Sequence, residues 1–280
     1  MTQSSKTRNN VTVTGKGKQP VLFAPGFGFD KKVWATVSKS FEDEFQVILF
    51  DYVGFGNSDL KAYDEKKYSN ISGYVEDLLA ICSELNLENI IFIGHSVGSM
   101  IGMLASIQQP DIFSKLIMIG PSPSLLNEAP DYHGGFEKEE LETLLLMMKK
   151  NYVQWTTAIA QTIMNDSNHA ELEKGIEDQF RSNNPSITHE FAKVCFFTDY
   201  RERLQDVKVP TFMIHSAKDL FVPREVINYM KENIPNCTLS YSTGIGHCPH
   251  ISHPEEIISL IKNYLHGQSE SVIKNTGGCL

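Results

Sequence analysis

Three side chains in this sequence could together carry out acyl transfer. Ser96 stands in Gly94-His95-Ser96-Val97-Gly98. A serine hydroxyl is a weak nucleophile until a base takes its proton. His247, in Gly244-Ile245-Gly246-His247, can be that base. A carboxylate behind the imidazole would hold one tautomer and stabilise the imidazolium. Asp219, in Ser216-Ala217-Lys218-Asp219, fits the order Ser…Asp…His. Asp199 and Asp206 are less apt, because they precede the apolar run that should deliver the acid. His250 and His253 are rivals for the base, but they lie toward the following helix and are expected to point away. The crowding of His247, Cys248, His250 and His253 could suggest zinc. Such a site usually needs further ligands elsewhere. None stands out, so neither a metal nor any other cofactor is expected.

Acyl transfer also needs donors for the developing oxyanion. The N–H of Val97, next after the serine, should be one. The N–H of Phe27, in Pro25-Gly26-Phe27-Gly28, should be the other. Phe29, Phe136, Trp155 and Phe196 are the aromatic candidates for lining a small apolar pocket, with Val97 as a further wall. Arg181, Arg201, Arg203 and Arg224 fall in helical contexts, which argues against a strongly anionic substrate. Asp51-Tyr52-Val53-Gly54-Phe55-Gly56-Asn57-Ser58 lacks the third glycine of a dinucleotide loop.

These residues need elements to bring them together. A chain of this length shows GxSxG by accident about one time in ten, so context decides. Here the motif follows the apolar run Ile90–Ile93 and opens the helix-period segment Val97–Gln108, the setting of a nucleophile elbow. Similar runs occur at 21–23, 47–50, 116–119 and 211–214, with a weaker one at 238–241. Short, wholly apolar runs rich in Ile, Val and Phe suit parallel strands buried on both faces. Helix candidates separate them at 32–41, 72–85, 224–233 and 254–265. Gln109-Pro110 and Ile234-Pro235 mark two stops. The alternation predicts an α/β fold with a doubly wound, mostly parallel sheet. Val11-Thr12-Val13 could add an antiparallel edge. The rhythm breaks between 122 and 203, where helix-like segments at 137–150, 152–164, 169–181 and 186–198 stand without strands. The expected organisation is a core at 1–121 and 204–266, a helical cap at 122–203, and a small, polar, disordered tail at 267–280.

Composition narrows the class. With 41% hydrophobic and 21% charged residues, a sizeable core is available and wholesale disorder is excluded. A net charge of −9 argues against nucleic acid and anionic membrane as partners. Five scattered cysteines without CxxC read as reduced thiols, hence the cytoplasm. MTQSSKTRNN has no apolar core of a secretory leader, and the ending GGCL is not a prenylation box.

The motifs combine into a resemblance. Phe23-Ala24-Pro25-Gly26-Phe27-Gly28, Asp51-Tyr52-Val53-Gly54, Gly94-His95-Ser96-Val97-Gly98, Leu104-Ala105-Ser106-Ile107, Gly120-Pro121-Ser122-Pro123 and Gly246-His247-Cys248-Pro249-His250 resemble the RsbQ-type branch of the α/β-hydrolases. That branch holds the sigma-B energy-stress regulators and the plant strigolactone and karrikin receptors. The similarity runs from about Asn10 to Leu265. Pro25 departs from many members of the wider fold, which carry His there. The resemblance implies a V-shaped cap of four helices, a mostly closed hydrophobic cavity, and a triad at the positions above. It also implies a small hydrophobic ligand and a partner serine phosphatase bearing a PAS domain. Three functions compete. The first is a catalytic regulator of sigma-B signalling. The second is a metabolic esterase or carbon–carbon hydrolase without a signalling partner. The third is a binding module with a vestigial triad. The complete Ser, His and Asp set argues against the third, and a serine at the elbow argues against dehalogenase or epoxide-hydrolase chemistry, which would place Asp there.

Overall fold

The computed structural model describes residues 3–165 and 169–267. The chain enters through α1 (Ser5–Arg8) and β1 (Thr12–Thr14). It then alternates: β2 (Pro20–Ala24), α2 (Ala35–Lys39), β3 (Gln46–Leu49), α3 (Ile71–Glu84), β4 (Ile90–His95), α4 (Val97–Gln108) and β5 (Phe113–Ile119). Four helices follow without an intervening strand: α5 (Lys138–Lys150), α6 (Tyr152–Met164), α7 (Ala170–Ser182) and α8 (Pro185–Phe197). The alternation resumes with β6 (Thr211–Lys218), α9 (Arg224–Asn233), β7 (Cys237–Ile245), α10 (Pro249–Ser252) and α11 (Pro254–Leu265).

The strands form a seven-stranded sheet in the order β1-β3-β2-β4-β5-β6-β7. Only β1 is antiparallel within it; it pairs Val13 with Ile48. The apolar runs became strands because both faces are covered. Along each strand alternate residues go to opposite sides. Leu22, Ile48, Phe92, Leu116 and Met213 join a core with α3, α4 and α9. Val21, Val47, Ile93, Ile117 and Phe212 join another with α2 and α11. β7 is the edge, half exposed along most of its length, and its polar outer positions leave only a weak apolar signal.

The register positions the site. Ala24 pairs with Gly94, His95 with Ile119, and Ile119 with Ile214. The carboxyl ends of β2, β4, β5 and β6 therefore finish level, and the loops leaving them meet at one rim. Helix boundaries follow local caps. Glu137 and Glu140 form a capping box at α5. The Asn184 side chain accepts from the Ser186 and Ile187 N–H groups at α8, with Pro185 in the first turn. The helix expected over 32–41 differs from the one observed. Its first turn is a 3-10 turn, Lys31–Trp34, capped by the Asp30 carboxylate on the Lys32 N–H. Only Ala35–Lys39 is α-helical. Among the described residues no helix is long and apolar enough to cross a membrane. The expectation of a disordered tail falls, from residue 268 onward, outside the described residues.

Candidate active site

Ser96 sits between β4 and α4 with φ 52° and ψ −123°, a conformation held only where the surroundings over-determine it. Those surroundings need two bare flanks. A Cβ on Gly94 would lie 2.6 Å from the Ser99 backbone nitrogen, and one on Gly98 would collide with the Pro25 carbonyl. The Ser96 N–H donates to the Ile119 carbonyl at 2.8 Å, which ties the turn to β5. The Ser96 side chain thus stands at the N-terminus of α4, where backbone N–H groups and the helix dipole favour negative charge. Among the described residues, the N–H groups of Phe27 and Val97 take no partner, and both residues border the same cavity as Ser96.

His247 and Asp219 arrive from β7 and β6. The imidazole Nδ1–H donates to Asp219 Oδ2 at 2.8 Å, and both side chains are buried. The second carboxylate oxygen accepts from the N–H groups of Phe221 (2.8 Å) and Val222 (3.1 Å). Burial alone would raise the Asp219 carboxyl. The facing charge and hydrogen bond of His247, with smaller contributions from His215 and the Phe221 N–H, outweigh it and hold the carboxyl below the usual range. His247 Nε2 is left without a hydrogen-bond partner. It borders the cavity alongside Ser96, though the two are not hydrogen-bonded to each other in this state. Such bonds commonly tighten only when substrate is present.

Further histidines surround the pair. His95, in the serine motif itself, is fully buried and donates from Nε2 to the His247 carbonyl at 2.9 Å. Burial first, and then the neighbouring His250 and His247, push its basicity well down. His215 Nδ1 lies 4.0 Å from Asp219 Oδ2, and burial lowers its pKa to about 4. His250 packs behind His95, ring centroids 4.4 Å apart, and against Trp34 at 4.5 Å, tilted to both. It is buried with both ring nitrogens unpartnered, and burial lowers its pKa to about 3. It is turned from the cavity, and His253 hydrogen-bonds Ser252 instead. None of the described His, Cys, Asp and Glu side chains cluster in a way that could hold a metal ion.

The cavity, about 50 Å³, is mostly apolar. Phe29, Phe196, Val97 and Phe27 border it. Two expectations need correcting. Trp155 stands one layer back, its ring edge-on to Phe27 at 6.3 Å and stacked on Tyr152. Phe136 lies on a separate outer groove beside α5, held by a bridge to Leu126, and stands behind two lining residues, Phe221 at 5.4 Å between rings and Leu125, whose carbonyl accepts from the Phe136 N–H. In their place come Met100 of α4, Ile159 and Ile163 of α6, and Cys195 of α8. The apolar stripes of these helices carry no mark of which residue faces the cavity rather than a neighbouring helix. Among the described residues, no Asp, Glu, Lys or Arg borders it.

Comparison with known proteins agrees with this architecture. The sequence profile of the α/β hydrolase fold matches residues 19–257. A karrikin insensitive 2 receptor of Petunia hybrida is 35% identical over 260 residues, 92% of this chain and 96% of the relative. A strigolactone esterase of Pisum sativum is 37% identical over 249 residues, 88% and 92% of the two chains. The solved structure of a hydrolase from Oleispira antarctica superposes with a TM-score of 0.91 at 41% identity, covering 94% of this chain and 96% of that one. The chain belongs to the α/β hydrolase fold family.

Proposed function

We propose that the protein is a serine esterase that cleaves a small, neutral, apolar ester or lactone. The observation that carries this is the Asp219–His247 pair, hydrogen-bonded at 2.8 Å and opening, with Ser96, onto an apolar cavity that no Asp, Glu, Lys or Arg among the described residues borders. In this reading Ser96 Oγ attacks the carbonyl carbon while its proton passes to His247 Nε2. Asp219 holds the imidazole and stabilises the cation that forms. The negative oxygen of the tetrahedral intermediate accepts from the N–H groups of Phe27 and Val97. Collapse expels the alkoxide, which takes the proton from His247 and leaves an acyl group on Ser96. Water, deprotonated by the same imidazole, then releases the acid. An apolar cavity with few polar groups binds by burial and leaves orientation to the reacting ester. Relatives named strigolactone esterases support ester cleavage here.

The organisation proposed for the chain is a core at 1–121 and 204–266 with a cap at 122–203. Ile159 and Ile163 of α6 and Cys195 and Phe196 of α8 reach the cavity from that cap. The finer proposal is regulatory. The motif set resembles the sigma-B regulators, so the esterase would act on a small hydrophobic signal together with a serine phosphatase bearing a PAS domain. The four described cysteines are unpaired, in keeping with a reducing cytoplasm.

The chemistry is tested with p-nitrophenyl esters of short acids and a fluorophosphonate probe. Wild type should turn over the esters and be labelled at Ser96. Ser96→Ala should lose labelling and about 10⁴-fold or more in kcat, since the nucleophile is replaced. A wild type inert to both reagents, or labelling that survives Ser96→Ala, sinks the esterase reading. Loss of the stress response on deletion, without rescue by Ser96→Ala, would support the regulatory arm. An unchanged response would leave a metabolic esterase.

A further inference from the structure

The oxyanion loop does not hold its own shape. Gly28 has φ +75°, and the space where a Cβ would stand is filled by the Phe180 ring of α7. The loop has a single turn bond of its own, from the Phe29 N–H to the Gly26 carbonyl at 3.3 Å. Its remaining polar anchor comes from far away in the chain. Asn183, at the corner between α7 and α8, donates from Nδ2 to the Gly28 carbonyl at 2.7 Å. Asn183 is buried, and the bond spans 155 residues of sequence. The Phe27 ring meanwhile leans into the aromatic floor of the cap, against Phe180 at 5.8 Å, Phe191 at 5.6 Å and Phe196 at 6.1 Å. One face of the Phe27–Gly28 unit thus belongs to the cap, while Phe27 also borders the cavity.

We propose that Asn183 is a positioning residue for the oxyanion hole. By holding the Gly28 carbonyl it fixes the plane of the loop, and so aims the Phe27 N–H at the carbonyl oxygen of the substrate. This rests on the serine-esterase reading above. A buried carbonyl that loses its donor is costly, and a glycine at positive φ can relieve the loss by rotating its peptide. The loop would then re-aim the neighbouring N–H. The seated corner of the cap therefore sets the competence of the hole, without touching substrate.

The test uses Asn183→Ala, Asn183→Leu and Asn183→Asp in the full chain. Asp is isosteric, but its carboxylate cannot donate to the carbonyl. Removing an oxyanion donor outright costs about 10²–10³ in kcat, so misaiming one should lower kcat by about 10–100-fold with KM changed less than about threefold. Two inhibitors separate aiming from mere cap packing. A trifluoromethyl ketone, which becomes a tetrahedral oxyanion on Ser96, should lose affinity in step with kcat/KM. The matching methyl ketone, bound unreacted in the same cavity, should keep its affinity. If every variant that folds by its melting temperature keeps the wild-type affinity ratio of the two ketones, the inference is overturned. So it is if KM alone rises. A wild type that neither turns over esters nor reacts with fluorophosphonate removes the esterase reading and this inference with it. An active wild type with unaffected variants removes the inference alone.

Discussion

The sheet rim and the cap meet at one cavity but are built on different terms. Rim residues hang from strands whose interior side chains are almost wholly buried, packed between helices on both faces. The Ser96 N–H is tied to Ile119 of β5, the Asp219 carboxylate accepts from the N–H groups of Phe221 and Val222, and the His247 carbonyl accepts from His95. The cap helices are amphipathic, with Leu146, Met147 and Val153 exposed on the outside and a separate apolar cluster within. Among the described residues, they reach the rim through aromatic contacts and two polar bonds. One is the Asn183 amide on Gly28. The other is the His247 N–H, which donates to the Ile163 carbonyl at 2.7 Å. The difference separates two jobs. The rim supplies reactive groups whose geometry tolerates little error, and the cap supplies shape.

If that division is right, changes at the rim should fall on kcat and changes in the cap on KM and substrate range. The largest rim effect beyond the nucleophile is expected from Asp219→Asn. It would favour the wrong imidazole tautomer and should lower kcat by about 10³–10⁴-fold with KM little altered, read by steady-state ester hydrolysis. A loss below tenfold would break the rim side of the comparison. In the cap, Phe196→Ala enlarges the cavity. It should move the optimum toward longer acyl chains, with about a tenfold rise in KM for the shortest. A fall in kcat without that shift would place Phe196 with the rim.

A smaller effect concerns the acid stability contributed by three buried histidines at the rim. His95, His215 and His250 are neutral when folded, because burial lowers each of them. The unfolded chain takes up these protons below about pH 6.5, the ordinary histidine value. The contribution is therefore fully present above that pH and is lost as pH falls toward about 4 for His215 and about 3 for His250. Each histidine should contribute about 1.4 kcal/mol per pH unit across its window. His250→Phe keeps a ring against His95 and Trp34 and removes two unpartnered nitrogens. Denaturant melts should show one proton fewer in the slope below pH 6.5 and no loss at neutral pH; an unchanged slope would contradict the assignment. The smallest effect is expected from Phe136→Ala, outside the lining, which should change kcat and KM by less than about twofold in the same ester assay.

Much of this was legible along the chain because it is local. A strand buried on both faces must be apolar at every position, so β4 announces itself. The elbow at Ser96 needs bare neighbours one turn away, and Gly94 and Gly98 supply them within five residues. Asp219 and His247 could be named from their places just past a strand end. The cap helices showed in their apolar spacing, to within a residue or two at their caps. Trp155 was misjudged because an amphipathic stripe says that a side chain is buried, not against what; Phe136 precedes α5 in a bridge to Leu126, and no local pattern tells which way such a segment faces.

The sequence by itself determined which segments become strands and helices and which three residues could react, since those depend on neighbours a few positions away. Tertiary structure alone decided that His95 braces the His247 loop across 152 residues, that His215 stands behind Asp219, and that Asn183 holds the Gly28 carbonyl across 155. The physical reason is that a hydrogen bond between distant segments depends on where packing carries both ends. A histidine in a motif or an asparagine at a helix end looks the same in sequence whether or not its partner arrives.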